Sequence, residues 1–233
     1  MIAIGVTGTD TGVGKTVVGC ALAAALVTRT LRVGVMKPVE TGILAGQGHS
    51  DASRLAGAAQ SHDDPSLICP FRFPAPLAPL LAARAAGVTV DLGRLDRALR
   101  AISAERDAVI VEGAGGLLVP ITETCDVAAL FSRWRLGLIV VAPNRLGVVN
   151  HVLLTLRAAR SATLTVGAIV LHDLGPVPAD ESAAGNATLL SEFAGGIPIV
   201  RFPWIRAASD HQELAHTAEV TGLVQAVAPS LIC

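Results

Sequence analysis

Residues Gly8 to Thr16 read GTDTGVGKT and follow the apolar run Met1 to Val6. A strand, a glycine-rich turn, Gly-Lys-Thr and then the uncharged run Val17 to Val27 are the sequence form of a phosphate-binding loop. Glycines let backbone N–H groups turn inward around a phosphate, and the start of the following helix adds its positive end. Lys15 supplies a mobile point charge, and Thr16 offers a hydroxyl to the magnesium ion that accompanies phosphates. The usual motif has four residues between its first glycine and Gly-Lys. Here that position is Thr9, and five residues separate Gly8 from Gly14.

Two carboxylates and a second lysine extend this chemistry. Of eighteen basic residues only Lys15 and Lys37 are lysines, which suggests sites where a compact ammonium is needed rather than a planar fork. Lys37 precedes Pro38 in the run Met36-Lys37-Pro38-Val39-Glu40-Thr41-Gly42, so it should leave its strand in extended conformation and project at the rim that carries the loop. The polar loop Gly46 to Ser50 leads to Asp51. Asp51 is open to two readings, a helix N-cap or a magnesium ligand. The strand Ala108 to Val111 delivers Glu112, followed by Gly113-Ala114-Gly115-Gly116. An acid at the end of a buried strand suits magnesium in a nucleotide site, and the glycines permit close backbone approach to a ligand.

Two further segments carry weaker signals. Pro143 to Gly147 leads into a helix whose first turn, Val148 to Asn150, could hold an anion such as a carboxylate. His172-Asp173 follows a strand and could face a nucleotide base or simply form a turn. The six histidines form no zinc spacing, and no G-x-S-x-G elbow is present.

The elements that must position these groups alternate. Strands are expected near Ile2 to Val6, Arg32 to Met36, Ala108 to Val111, Leu138 to Ala142, Val166 to Leu171 and Ile197 to Arg201. Helices are expected over Lys15 to Arg29, Asp51 to Ala58, Leu77 to Ala86, Leu92 to Glu105, Val148 to Arg160, Ala184 to Phe193 and Glu213 to Val227. This pattern predicts a single-domain α/β fold over residues 1–233, a mostly parallel, doubly wound sheet with helices on both faces, of the P-loop NTPase type. The 52% hydrophobic and 16% charged composition suits strands buried on both sides. A net charge of −1 and 3% aromatic residues argue against nucleic acid and anionic membranes as partners. Cys20, Cys69, Cys125 and Cys233 show no C-x-x-C spacing and read as reduced thiols of a cytoplasmic protein. The proline-rich stretch Cys69 to Pro79 reads as a rigid irregular loop.

Together, GTDTGVGKT at Gly8, KPVETG at Lys37, HSDA at His49, VEGAGG at Val111 and NRLGVVNH at Asn144 resemble the dethiobiotin synthetases of biotin synthesis, in family order across nearly the whole chain. The resemblance implies ATP- and Mg2+-dependent ring closure. 7,8-Diaminopelargonic acid and CO2 give a carbamate, which is phosphorylated to a mixed anhydride and attacked by the second amine, releasing ADP and phosphate. It implies that Lys15 and Lys37 hold the γ-phosphate and the carbamate, with Lys37 and Thr11 also catalytic. Thr16, Asp51 and Glu112 would arrange magnesium. Gly12, Val13, Gly14 and Val17, with Gly113, Ala114, Gly115, His172, Asp173, Pro203, Trp204 and Ile205, would surround the nucleotide. Thr11, Thr41 and Gly115 would meet the diamine, and Gly147, Val148, Val149 and Asn150 of a neighbouring subunit would receive its carboxylate tail, making the unit a homodimer.

Two positions depart from the family pattern. Gly12 stands where a member of the family has Glu, and His172 stands where the family pattern has Asn before Asp, an Asn that recognises adenine. A neutral imidazole presents its donor and acceptor on opposite edges, unlike an amide. The substitution implies that other nucleoside triphosphates are accepted. Two alternatives share the loop type: a cobalamin-pathway amidoligase, which generally carries a further glutaminase domain, and a partitioning-type switch ATPase, which carries a signature lysine where this chain has Asp10.

Overall fold

A computed structural model describes residues 2–43, 50–178, 180–205 and 210–231. Its centre is a six-stranded sheet in the order β2-β5-β1-β6-β7-β8. The strands are β1 (Ile2–Gly8), β2 (Val33–Met36), β5 (Ala108–Gly116), β6 (Gly137–Pro143), β7 (Val166–His172) and β8 (Ile199–Phe202), and every pairing is parallel. A separate parallel pair is formed by β3 (Val39–Thr41) and β4 (Phe71–Phe73).

Side chains alternate between two covered faces, as a sheet with helices on both sides requires. Ile4, Val6, Ala108, Ile110, Ile139, Val141, Ala168 and Val170 enter one core cluster. Val109, Val111 and Leu138 enter the second, and Ile169 and Leu171 a third. The first face is covered by α1 (Lys15–Thr28), α2 (Asp51–Ala58), α9 (His211–Val220) and α10 (Leu223–Leu231). Helix α1 is buried along nearly its whole length from Lys15 to Leu26, which is why its sequence lacks a polar stripe. α5 (Leu92–Ser103) and α6 (Val127–Arg133) line the second face, and α7 (Val148–Ser161) and α8 (Asn186–Phe193) the third cluster.

The expected α/β architecture is present, with differences in detail. The strand expected to stop at Val111 continues to Gly116, so Glu112 lies inside β5 and not at its end. Its backbone pairs with Val6, and the ladder resumes at Gly8 and Gly116 past a register shift. The stretch 69–79 is not wholly irregular. It holds β4, and Pro79 opens α4 (Pro79–Ala85) two residues later than expected, at the helix position that tolerates proline. Chain pairing over 39–41 and 71–73, the short helix α3 (Pro65–Ile68) and α6 were not expected. The last predicted helix is two, parted at Thr221-Gly222, where Gly222 has φ 74°. The expected start at Ala184 is a 3-10 turn, Glu181–Ala184, ahead of α8.

Among the described residues no helix is long and apolar enough to cross a membrane. Cys20, Cys69 and Cys125 are free and buried. Cys233, His49 and the loop residues 46–49 lie outside the described residues.

Candidate active site

The C-terminal end of β1 feeds the glycine loop, and α1 starts at Lys15. Gly12 and Gly14 take φ of 73° and 98°, a left-handed backbone that glycine adopts without steric cost. Lys15 is buried, and its Nζ donates to the Asp10 carbonyl at 2.8 Å. Burial, and next the Lys37 ammonium, bring the Lys15 pKa down to about 8 against the pull of Glu112, Asp51 and Asp10.

Lys37, which follows β2, points into the same region and is 4% exposed. Its ammonium ion-pairs with Glu112 Oε1 and donates to Asp51 Oδ2 at 3.2 Å. Burial opposes that charge, but Glu112 and then Asp51 outweigh it and hold the ammonium above the usual lysine range. Thr16 Oγ1 donates to Glu112 Oε1 at 3.0 Å. Glu112 is fully buried, and its Oε2 has no hydrogen-bond partner. Burial would push the Asp51 carboxyl up, yet Lys37, followed by hydrogen bonds from Lys37 and Thr16, draws it below the usual aspartate value.

The N-cap of α2 is Ser50, whose side chain accepts from Ser53 N at 3.2 Å. Asp51 therefore does not serve as the cap, and its carboxylate is turned to Lys37. Its backbone N–H is taken by Glu40 Oε1. Glu40 is itself buried with an unpartnered Oε2, and burial raises its pKa.

These groups line one cleft of about 630 Å3 together with Thr11, Gly12, Gly14, Val17, Thr41, Ala114 and Gly115. A Cβ on Gly115 would sit 3.5 Å from Thr11 Oγ1, so the glycine brings the β5 backbone close to the loop threonine. Sequence reasoning missed several parts of the wall. Glu40, Arg54, Val119 and the turn Pro76 to Pro79 all line it. The prolines of 74–79 read as irregular chain in isolation; the pairing of β3 with β4, with Gly42 N donating to Ala75 O and Leu80 N to Pro120 O, sets Pro76 and Pro79 in the wall of the cleft.

The remaining candidates lie at other strand ends. His172 ends β7, and Asp173 N donates to the Phe202 carbonyl at 2.9 Å, which sets Pro203, Trp204 and Ile205 alongside. His172 is buried, and its Nδ1 lies 3.2 Å from the Val13 carbonyl oxygen. Asp173 accepts from Asn144 Nδ2 at 2.9 Å, while Asn144 Oδ1 accepts from Asn186 at 3.1 Å. This network holds the β6–α7 connection, and nothing local in the sequence pointed to Asn186. Gly147, with φ 90°, caps α7; Gly147 and Asn150 are exposed, Val149 is half-buried and Val148 is buried. Neither Gly147 to Asn150, nor His172, Asp173 and Pro203 to Ile205, line the 630 Å3 cleft of their own chain. Among the described residues no group of three or more His, Cys, Asp or Glu side chains is placed to hold a metal.

A family model described as an AAA domain matches residues 3–212. The ATP-dependent dethiobiotin synthetase BioD of Anaeromyxobacter dehalogenans (strain 2CP-C) is 43% identical over 221 residues, covering 95% of this chain and 96% of the relative. The ATP-dependent dethiobiotin synthetase BioD of Bacillus subtilis (strain 168) is 39% identical over 198 residues, 84% of each chain. Among solved structures, a ParA family ATPase from Chlorobium tepidum TLS superposes with a TM-score of 0.52 at 16% identity, covering 97% of both chains. That likeness is one of α/β P-loop fold.

Proposed function

The chain belongs to the family of ATP-dependent dethiobiotin synthetases, and from that premise we propose that its cleft performs the phosphorylation and ring closure of a diamine carbamate. The enzyme is an ATP-dependent ligase forming a C–N bond. The observation that carries the chemical reading is Lys37, a buried ammonium held on Glu112 and Asp51 beside Lys15 and Thr16. This reaction needs no side-chain nucleophile. It needs reactants held in line and charge stabilised on a transferring phosphoryl group.

The steps assign as follows. One amine of 7,8-diaminopelargonic acid takes up CO2 as a carbamate, which Thr11, Thr41 and the Gly115 backbone orient. A carbamate oxygen attacks the γ-phosphorus and ADP leaves, with Lys15 and Lys37 facing the charge that builds on the phosphoryl oxygens. The second amine then attacks the carbamoyl carbon of the mixed anhydride, the C–O bond to phosphate breaks, and the cyclic urea closes. The start of α7, Gly147 to Asn150, where Gly147 and Asn150 are exposed, receives the diamine's carboxylate from a second copy of the chain. The functional unit is then a homodimer.

Thr16, Asp51 and Glu112 form an all-oxygen donor set, and the partnerless Glu112 Oε2 is a buried acceptor that such a site accounts for. They fit Mg2+, which when bound neutralises charge on the nucleotide's phosphate oxygens. His172 takes the place of the family's amide, so the reading includes broad use of nucleoside triphosphates. A strong preference for ATP over CTP and GTP in steady-state assays would overturn that part.

The test is nucleotide hydrolysis by the purified protein with bicarbonate and magnesium, with and without the diamine, following dethiobiotin by mass. Hydrolysis that depends on diamine and matches product one to one is expected. Hydrolysis indifferent to the diamine refutes the substrate assignment.

A further inference from the structure

His172 touches the phosphate loop. Its Nδ1 lies 3.2 Å from Val13 O, and a carbonyl only accepts, so Nδ1 carries the proton and Nε2 is left with a lone pair. That Nε2 is buried and without a partner. The ring stands edge-on to Phe202, with centroids 5.7 Å apart and planes at 61°. On its other side it fills the space beside Gly14, where a Cβ would lie 2.0 Å from Nδ1. The ring is therefore wedged between the core of the sheet and the loop, its donor is spent on the loop and its acceptor is buried without a partner.

We propose that His172 is a positioning residue for the phosphate loop, bracing Val13 and Gly14 in their binding conformation and setting the affinity for a triphosphate independently of the base attached to it. The inference rests on the nucleotide-binding reading of the loop, not on the identity of the diamine. A loop that must bend Gly12 and Gly14 into left-handed conformations has many alternatives when free. The bond to Val13 O removes some of them before the ligand arrives. When the competent fraction falls, every ligand's apparent dissociation constant rises by the reciprocal of that fraction.

The experiment is titration calorimetry of the full chain with Mg2+ and, in turn, ATP, CTP, GTP and inorganic tripolyphosphate. His172→Leu keeps apolar bulk and removes the donor; it should weaken all four by one common factor of roughly tenfold, as expected for an orphaned buried carbonyl. His172→Asn places an amide N–H where Nδ1 stood and should restore most of the affinity. Unequal factors among the nucleotides, or an unchanged tripolyphosphate affinity, would make His172 a base reader and overturn the proposal, as would an unaltered affinity throughout. If His172→Leu does not fold, the wild-type protein serves: long-range proton–nitrogen NMR should find His172 with its proton on Nδ1, and a proton on Nε2 overturns the inference. Dethiobiotin formation by the wild type is scored separately, so failure of the substrate reading leaves this result interpretable.

Discussion

Lys37→Gln removes the cation from the centre of the cluster and leaves Glu112 and Asp51 facing each other. Two effects follow, of different size and with different readouts. For stability, breaking a buried pair by removing one partner costs about 3–5 kcal/mol at worst. The cost here should fall at or below the lower end, because the Asp51 side chain is 40% exposed and Thr16 still donates to Glu112. For catalysis, losing one oriented charge aimed at developing negative charge costs about 2.7–4 kcal/mol, or roughly 100- to 1,000-fold in kcat. Nucleotide affinity should change far less. Lys15 and the loop backbone remain, and Lys37 is the second cause of the depressed Lys15 pKa of about 8, so its removal lets Lys15 hold its proton more firmly. The measurements are product formation at saturating diamine, nucleotide titration by calorimetry, and thermal unfolding of both proteins. A folded variant that turns over within about threefold of wild type would refute the role assigned to Lys37, since losing an oriented donor typically costs roughly 100- to 1,000-fold.

Three further outcomes are expected. Asp51→Ala should move the magnesium titration of activity to higher concentration, because the N-cap of α2 is Ser50 and the helix survives the change; an unaltered titration removes Asp51 from the metal's donors. Gly14→Ala should abolish measurable triphosphate binding by calorimetry, since its Cβ would sit 2.0 Å from His172 Nδ1 on a backbone with φ 98°; retained binding would mean the ring moves freely. Asp96 accepts from Arg133 and from Trp134 Nε1 at 2.8 Å, and those bonds, Arg133 first, hold its carboxyl below the usual aspartate value. A depressed folded pKa gives stability that is present above the unfolded value of about 3.9 and lost as pH falls through the folded one. Asp96→Asn should therefore cost no more than about 1 kcal/mol in urea unfolding at pH 7, because the Arg133 side chain is 54% exposed and solvent screens the pair, and the gap to wild type should close in acid; a gap independent of pH contradicts the assignment.

What was legible in the sequence and what was not divides by the range of the interaction that decides it. The phosphate loop, Lys37 before Pro38 and the start of α2 at Asp51 are local statements about glycine, proline and apolar runs, and each stands where it was expected. The end of β5 was misplaced because the apolar run stops at Val111, whereas a parallel ladder is held by backbone bonds and tolerates a charge wherever the fold neutralises it. Lys37 does so for Glu112 from seventy-five residues away. The turn Pro76 to Pro79 was unreadable for the same reason: its place over the cleft depends on Val39 to Thr41 pairing with Phe71 to Phe73. His172 is the sharpest instance. Read alone after a strand, it suggests a group facing a ligand. In the fold it contacts a loop 159 residues earlier, and that contact also constrains Gly14, because the ring occupies the volume that any side chain there would need. The glycine spelled out by the phosphate-loop motif and the histidine that departs from the family pattern thus form one steric unit. A change at either position has to be judged with the other.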